Sequence, residues 1–159
     1  MQISRYSAKS LLACAALIWA PVPGAAQDRA EVDQLSYADI VDLADGAPLV
    51  LRAQIRSQAT VEPERSPGLL PGFVRLYVEA RTSALIAGNV PVGELLRYLV
   101  DVPVDERGRA PKLKKQEVIL FARPVPGRPD QIQLVDPHAQ FSYSEAFEAR
   151  LRPVLSALL

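Results

Sequence analysis

The sequence has few of the residues that carry most catalytic and metal-binding chemistry. Its 159 residues include one cysteine, one methionine, one tryptophan and one histidine. The first three of these, Cys14, Met1 and Trp19, all lie within the first twenty residues. A single cysteine cannot form an intramolecular disulfide, and a single histidine falls short of the ligand set of a typical zinc site. We therefore expect neither a metal nor a cofactor.

The sequence also lacks an excess of charge of either sign and a long apolar run. The 18 basic residues equal the 18 acidic ones, which argues against a generally basic nucleic-acid-binding protein and against an acidic disordered tail. The longest apolar run covers residues 11–20. That is about half of the ~20 residues needed to cross a bilayer, so we expect no transmembrane span.

Residues 1–26 have the pattern of a cleaved, Sec-type signal peptide. Arg5 and Lys9 precede the apolar run, and small residues end the segment at Ala26. Removing this segment takes away two basic residues and no acid, which leaves a net charge of −2 on the remaining chain. We expect a bacterial protein that is periplasmic or secreted, with a flexible lead at 27–35.

Residues 36–159 are predicted to form a single β-barrel-like domain with a helix at each end. Ser36 and Asp39 form a capping box for a short N-terminal helix. Alternating apolar and polar residues predict strands. These predicted strands cover 49–61, 73–80 with 83–87 as a continuation or a separate strand, 95–104, 117–122 and 131–135.

The last segment is predicted to be an amphipathic helix. Ser142 and Glu145 have the spacing of a capping box, and apolar residues from Phe147 onward follow helical spacing. Pro153 lies inside this pattern, where a proline removes an amide donor and crowds the preceding turn. We therefore expect a kink there, or two short helices.

These elements favour a mainly β protein, an OB-like antiparallel barrel of five or six strands. A sandwich and an open antiparallel sheet backed by helices are the alternatives. The segment Val118–Ala122, after a lysine-rich turn and before a terminal helix, resembles the last part of netrin-like (tissue-inhibitor-like) OB domains. The resemblance covers about two-thirds of the chain after residue 26 and implies the fold only, because the cysteines used for protease inhibition are missing. The chain also resembles exported bacterial proteins.

Two groups of residues are candidates for contact with a partner. Arginines beside an aromatic ring on exposed strand faces suit anion binding and stacking, and a basic loop spans 105–116. The strand-face candidates are Arg52, Arg56, Arg75, Tyr77, Arg81 and Arg97, and the loop candidates are Arg107, Arg109, Lys112, Lys114 and Lys115. The competing explanation is an ordinary charged exterior in which Glu79 and Asp101 pair with the arginines.

The favoured function is a non-enzymatic binding or envelope-accessory module. Its expected partner is another envelope protein or an anionic ligand, with contact to a membrane surface possible and no nucleic acid. The alternative is a small periplasmic hydrolase that uses His138, oriented by Asp136, or the carboxylates Glu79 and Asp101. The sequence has no Gly-x-Ser-x-Gly motif around a serine nucleophile. A structural protein that requires oligomerisation is a third possibility.

Overall fold

The computed structural model describes residues 35–158. The predicted signal peptide and all but the last residue of the predicted lead lie outside this range. The described part is mainly β, with a closed five-stranded barrel, one extra strand and two helices. In chain order the elements are α1 (Tyr37–Asp45), β1 (Leu49–Thr60), a short 3₁₀ helix (Pro63–Arg65), β2 (Phe73–Ala87), β3 (Leu95–Pro103), β4 (Glu117–Val125), β5 (Arg128–Leu134), β6 (Gln140–Ser142) and α2 (Glu145–Leu158).

The barrel closes because β1 pairs with both β2 and β4. The strand order is β1-β2-β3-β5-β4, with β6 added beside β4. Closure confirms the predicted barrel and makes the open-sheet alternative wrong. The β3–β5 pair is parallel, with Arg97 opposite Gln131, so the predicted all-antiparallel sheet is wrong at this pair. The reason is geometric, because a closed ring with an odd number of strands cannot alternate direction at every neighbouring pair.

A β-bulge changes the face that β1 turns to the core. Ile55 and Ser57 lie opposite consecutive residues of β2, so Arg56 between them is an extra residue. Up to Ile55 the alternation follows the prediction. Beyond the bulge, Ala59 lies opposite the exposed Tyr77 and is itself exposed. Uninterrupted alternation from Leu49 predicts that Ala59 faces the core, and this prediction is wrong because of the bulge.

The C-terminal helix differs from the prediction in two ways. Its first turn is capped by Ser144, whose hydroxyl accepts a hydrogen bond from the Phe147 amide at 3.1 Å. The predicted cap, Ser142, instead belongs to β6, a strand that the sequence did not predict. Pro153 lies inside one helix that runs from Glu145 to Leu158, so the helix is not divided.

One continuous apolar core joins the barrel and the helices. Both helices contribute to it, α1 through Ile40 and Ala44, and α2 through Phe147 and neighbouring apolar residues. The largest fully buried side chains include Phe121, Phe147, Ile40, Leu49, Leu51, Ile55, Leu76, Leu96, Ile119, Leu120 and Leu151. Leu113, from the loop between β3 and β4, is 5% exposed and belongs to the same core. This loop is therefore fixed to the barrel at that point.

Candidate functional site

The outer faces of β2 and β3 hold their arginines in ion pairs. Arg75 donates two hydrogen bonds of 2.7 Å to the two carboxylate oxygens of Asp101, which is only 6% exposed. These bonds raise the pKa of Arg75. A fork of this kind fixes both side chains. The Arg75 guanidinium therefore serves in an ion pair within the fold, and a ligand would have to displace Asp101 to bind it.

The next cations on this face are paired in the same way. Arg97 lies 3.3 Å from a carboxylate oxygen of Glu79 and 2.8 Å from one of Asp130, and Arg81 lies 2.6 Å from Glu94. The side chains point outward as the alternation predicts. Their positive charges are balanced by carboxylates, as expected for an ordinary charged exterior with ion pairs.

Arg52 is used to hold α2 against the barrel. Its guanidinium carbon lies 4.6 Å from the centre of the Tyr143 ring, and a terminal nitrogen lies 3.6 Å from Glu148. Both contacts are to residues at or near the start of α2. Arg52 is therefore engaged in contacts at the start of α2. Tyr77, the aromatic candidate, lies opposite the exposed Leu99 of β3.

The residues of the alternative hydrolytic site form hydrogen bonds with the backbone of neighbouring segments. Asp136 accepts a hydrogen bond from the backbone amide of His138 at 2.8 Å, so it caps a turn and does not orient the imidazole. The ring Nδ1 of His138 lies 3.0 Å from the backbone carbonyl of Asp101. In residues 35–158, no serine hydroxyl forms a hydrogen bond with His138.

The carboxylates of Glu79 and Asp101 are also apart. Glu79 lies opposite Arg97, four residues along β3 from Asp101. At the rise of a β-strand this offset is about 13 Å, beyond the ~5–10 Å that separates the two acids of a glycosidase. Each carboxylate is in addition paired with an arginine.

Three other predicted cations meet at one place on the surface. Arg56, Lys114 and Lys115 surround a depression of about 240 Å³, whose remaining lining comes from Gln54 and Ile55. All three cations are exposed, and none forms a salt bridge with an acid in the described part of the chain. We call Arg56, Lys114 and Lys115 the basic cluster.

Backbone hydrogen bonds bring the two parts of the basic cluster together. The Lys115 amide donates to the Ile55 carbonyl at 2.8 Å, and the Ile55 amide donates to the Gln116 carbonyl at 2.9 Å. These bonds continue the pairing of β1 with β4 into the two residues that precede β4. Arg56 follows directly, at the bulge, so the fold rather than the local sequence places it beside Lys114 and Lys115.

Gln58 ties the approaching loop to β1. Its side-chain amide accepts a hydrogen bond from the Leu113 backbone amide at 2.6 Å and donates one to the Pro111 carbonyl at 2.8 Å. Leu113 in turn is anchored in the core. Gln54 and Gln58 were not predicted as functional residues, because a polar residue on a strand gives no sequence signal of which backbone groups it contacts.

Lys115 has a strained backbone. Its φ is 74°, and within residues 35–158 every other residue with positive φ is a glycine. An L-residue in this region costs roughly 1–2 kcal/mol, which glycine avoids because it has no Cβ. The fold therefore carries a lysine at a position where glycine would be more favourable for folding.

The remaining loop cations differ among themselves. Arg109 pairs with Asp105 at 2.8 Å, and hydrogen bonds from the Arg109 backbone and side chain lower the pKa of Asp105. Arg107 and Lys112 are exposed and form no salt bridge within the described range. The loop therefore adds two unpaired cations to those of the basic cluster, on the same chain segment.

The described residues include no group of three or more histidine, cysteine, aspartate or glutamate side chains that could hold a metal ion. In the same range, no helix has both the length and the apolar character needed to cross a membrane. Comparison with protein-family models and with curated proteins gives no match to this sequence.

Proposed function

We propose that the protein is a non-catalytic binding module that recognises an anionic partner through the basic cluster. The observation that carries the proposal is the meeting of Arg56, Lys114 and Lys115 around one depression without an acidic partner among the described residues. Like charges held close together repel one another, and an anion bound between them relieves that repulsion.

The contrast with the strand face supports this choice of site. Arg75, Arg81 and Arg97 are each balanced by a carboxylate, so an incoming anion would have to compete with an existing ion pair. The basic cluster presents no such competitor. A guanidinium offers two parallel donors to an anion, and the two ammonium groups add mobile point charges.

The fold and the location form part of the same proposal. We infer an OB-type barrel, since five strands in Greek-key order closed by the β1–β4 pairing have that architecture. We also infer export to a bacterial periplasm or beyond, on the pattern of residues 1–26. Among the residues that the structure describes, no serine hydroxyl forms a hydrogen bond with His138, and Glu79 is offset from Asp101 along the sheet. Both observations favour binding over hydrolysis.

A polyanion column tests the proposed function. The protein and a variant with Arg56→Gln, Lys114→Gln and Lys115→Gln are applied to immobilised heparin and eluted with rising salt. The control variant removes three positive charges elsewhere that form no salt bridge among the described residues, through Arg65→Gln, Arg123→Gln and Arg128→Gln. Equal net charge in the two variants separates the effect of location from that of total charge.

The expected result is early elution of the cluster variant only. The control variant should elute close to the unaltered protein, because its removed charges lie on the 3₁₀ helix, β4 and β5 and none of them lines the depression. Equal retention of the cluster variant and the unaltered protein would overturn the proposal. So would an equal loss of retention in both variants, which would indicate attraction by overall charge.

A further inference from the structure

We infer that the basic cluster is a site for a phosphate monoester, the ligand class that best matches its charge, size and geometry. This inference rests on the proposed function and narrows it to one chemistry. The site combines one guanidinium, Arg56, with two ammonium groups, Lys114 and Lys115. Phosphate monoesters carry about −1.5 to −2 charges at neutral pH and present three acceptor oxygens.

Charge favours this class over a carboxylate. A single carboxylate would balance one of the three positive charges and leave two without a counter-charge. A phosphate monoester balances nearly two, and its oxygens can accept from the guanidinium fork and from both lysines at once. A phosphate monoester therefore matches the basic cluster both in charge and in the number of hydrogen-bond donors that its oxygens can accept from.

The size of the depression points to a small headgroup. Pockets for drug-sized ligands have volumes of roughly 300–1,000 Å³, and this depression has about 240 Å³. It is lined by five residues, of which only Ile55 is apolar. The depression therefore suits a compact charged group whose ester substituent extends into solvent.

The backbone of Lys115 is a second, independent observation. Glycine occupies each of the other positive-φ positions in residues 35–158, at Gly68, Gly72, Gly88, Gly108 and Gly127. At position 115 the chain keeps a lysine despite the strain. Strained residues are concentrated at functional sites, and here the strain accompanies a cation that borders the depression. We infer that the Lys115 side chain serves the ligand and not the fold.

Phenyl phosphate tests the inference, with phenyl sulfate as its singly charged counterpart. Binding is followed by amide NMR shifts at pH 7.5 and at pH 5.5, on either side of the second phosphate ionisation near pH 6. We expect phenyl phosphate to bind more tightly at the higher pH and phenyl sulfate to bind weakly at both. Lys115→Gly should weaken phenyl phosphate binding about 10-fold, the loss expected for one charge-assisted hydrogen bond.

The same Lys115→Gly variant separates a binding role from a structural one. Its melting temperature should equal or exceed that of the unaltered protein, since glycine relieves the strain. Arg128→Gln, a control that removes one charge outside the depression, should leave phenyl phosphate binding unchanged. A lower melting temperature for Lys115→Gly, or unchanged binding, would overturn the role given to Lys115.

Vesicles of phosphatidylcholine with phosphatidic acid, or with phosphatidylglycerol, distinguish the source of the phosphate. Binding to phosphatidic acid vesicles would assign a lipid headgroup, and binding to phenyl phosphate alone would assign a soluble ester. Phenyl sulfate binding as tightly as phenyl phosphate would refute the phosphate class while the heparin result stands. If the protein does not bind phenyl phosphate but is still retained on heparin, the phosphate class is likewise refuted and the proposed function stands. Loss of the heparin result would instead refute the proposed function.

Discussion

The position of the β3–β4 loop should depend strongly on Gln58. Its amide makes two hydrogen bonds to the backbone of that loop, with the Leu113 amide at 2.6 Å and the Pro111 carbonyl at 2.8 Å. Gln58→Leu keeps the side-chain size and removes both bonds. The substitution leaves the Leu113 amide and the Pro111 carbonyl without their hydrogen-bond partner in a partly buried position.

The expected loss of stability follows from these two bonds. A hydrogen bond between neutral groups contributes about 1 kcal/mol net, so Gln58→Leu should lower the free energy of unfolding by about 2 kcal/mol. With a denaturant slope of ~1–3 kcal/mol per molar urea, the unfolding midpoint should fall by about 1 M. The variant should also elute earlier from heparin, because the loop that carries Lys114 and Lys115 is less firmly held.

Urea unfolding and hydrogen exchange measure these effects. The Leu113 amide donates to Gln58 and should exchange faster with solvent in the variant. Gln54→Leu is the matched control for stability, since Gln54 lies on the same strand and forms no side-chain hydrogen bond with a described residue. If Gln58→Leu unfolds at the same urea concentration as the unaltered protein, and Leu113 exchange is unchanged, the reasoning is refuted.

Three further predictions concern other parts of the chain. Asp101→Asn should lower the free energy of unfolding by about 2 kcal/mol in urea unfolding, because Arg75 loses its carboxylate partner at a mostly buried place; an unchanged midpoint would contradict this. The Ser36 hydroxyl and the Ser36 amide, which donates to the carboxylate, lower the pKa of Asp39. The stability from this contact should therefore be present above the unfolded-state pKa and lost as pH falls through the folded one. NMR titration of the Asp39 carboxyl should give a low pKa that rises in Ser36→Ala, and an unchanged pKa in the variant would refute the capping contact. Expression in a bacterium followed by N-terminal sequencing should show a chain that begins at Gln27, whereas an intact N-terminus would refute the signal peptide.

The local features of the fold could be predicted from sequence. The capping box of α1 is present, with the Asp39 amide donating to the Ser36 hydroxyl and the Ser36 amide donating to Asp39. The alternation of β1 held as far as Ile55, where the bulge begins. The bulge itself could not be foreseen, because Arg56 carries no glycine or proline signal and its cause is the register between two distant strands.

The sequence indicates the residues of the site but not that they lie together. It places Arg56 on a strand face and Lys114 and Lys115 in a loop, as two separate surfaces. Their proximity depends on the hydrogen bond from the Lys115 amide to the Ile55 carbonyl, which joins positions sixty residues apart. Sequence spacing gives no information on such long-range pairing. The ion pairs on the β2–β3 face, by contrast, can be predicted as the explanation that competes with ligand binding. The alternation in the sequence shows which charged residues share a strand face, and oppositely charged residues on neighbouring strands pair there.

The most direct test of the account is to map where an anionic ligand touches the protein. Amide NMR shifts recorded during titration with a short heparin oligosaccharide should be largest at residues 54–56 and 113–116, around the depression. The amides near Tyr77 and Leu99 should change little, because the cations of that face are already paired. Shifts that are largest on the β2–β3 face, or no shifts at any concentration, would contradict the account.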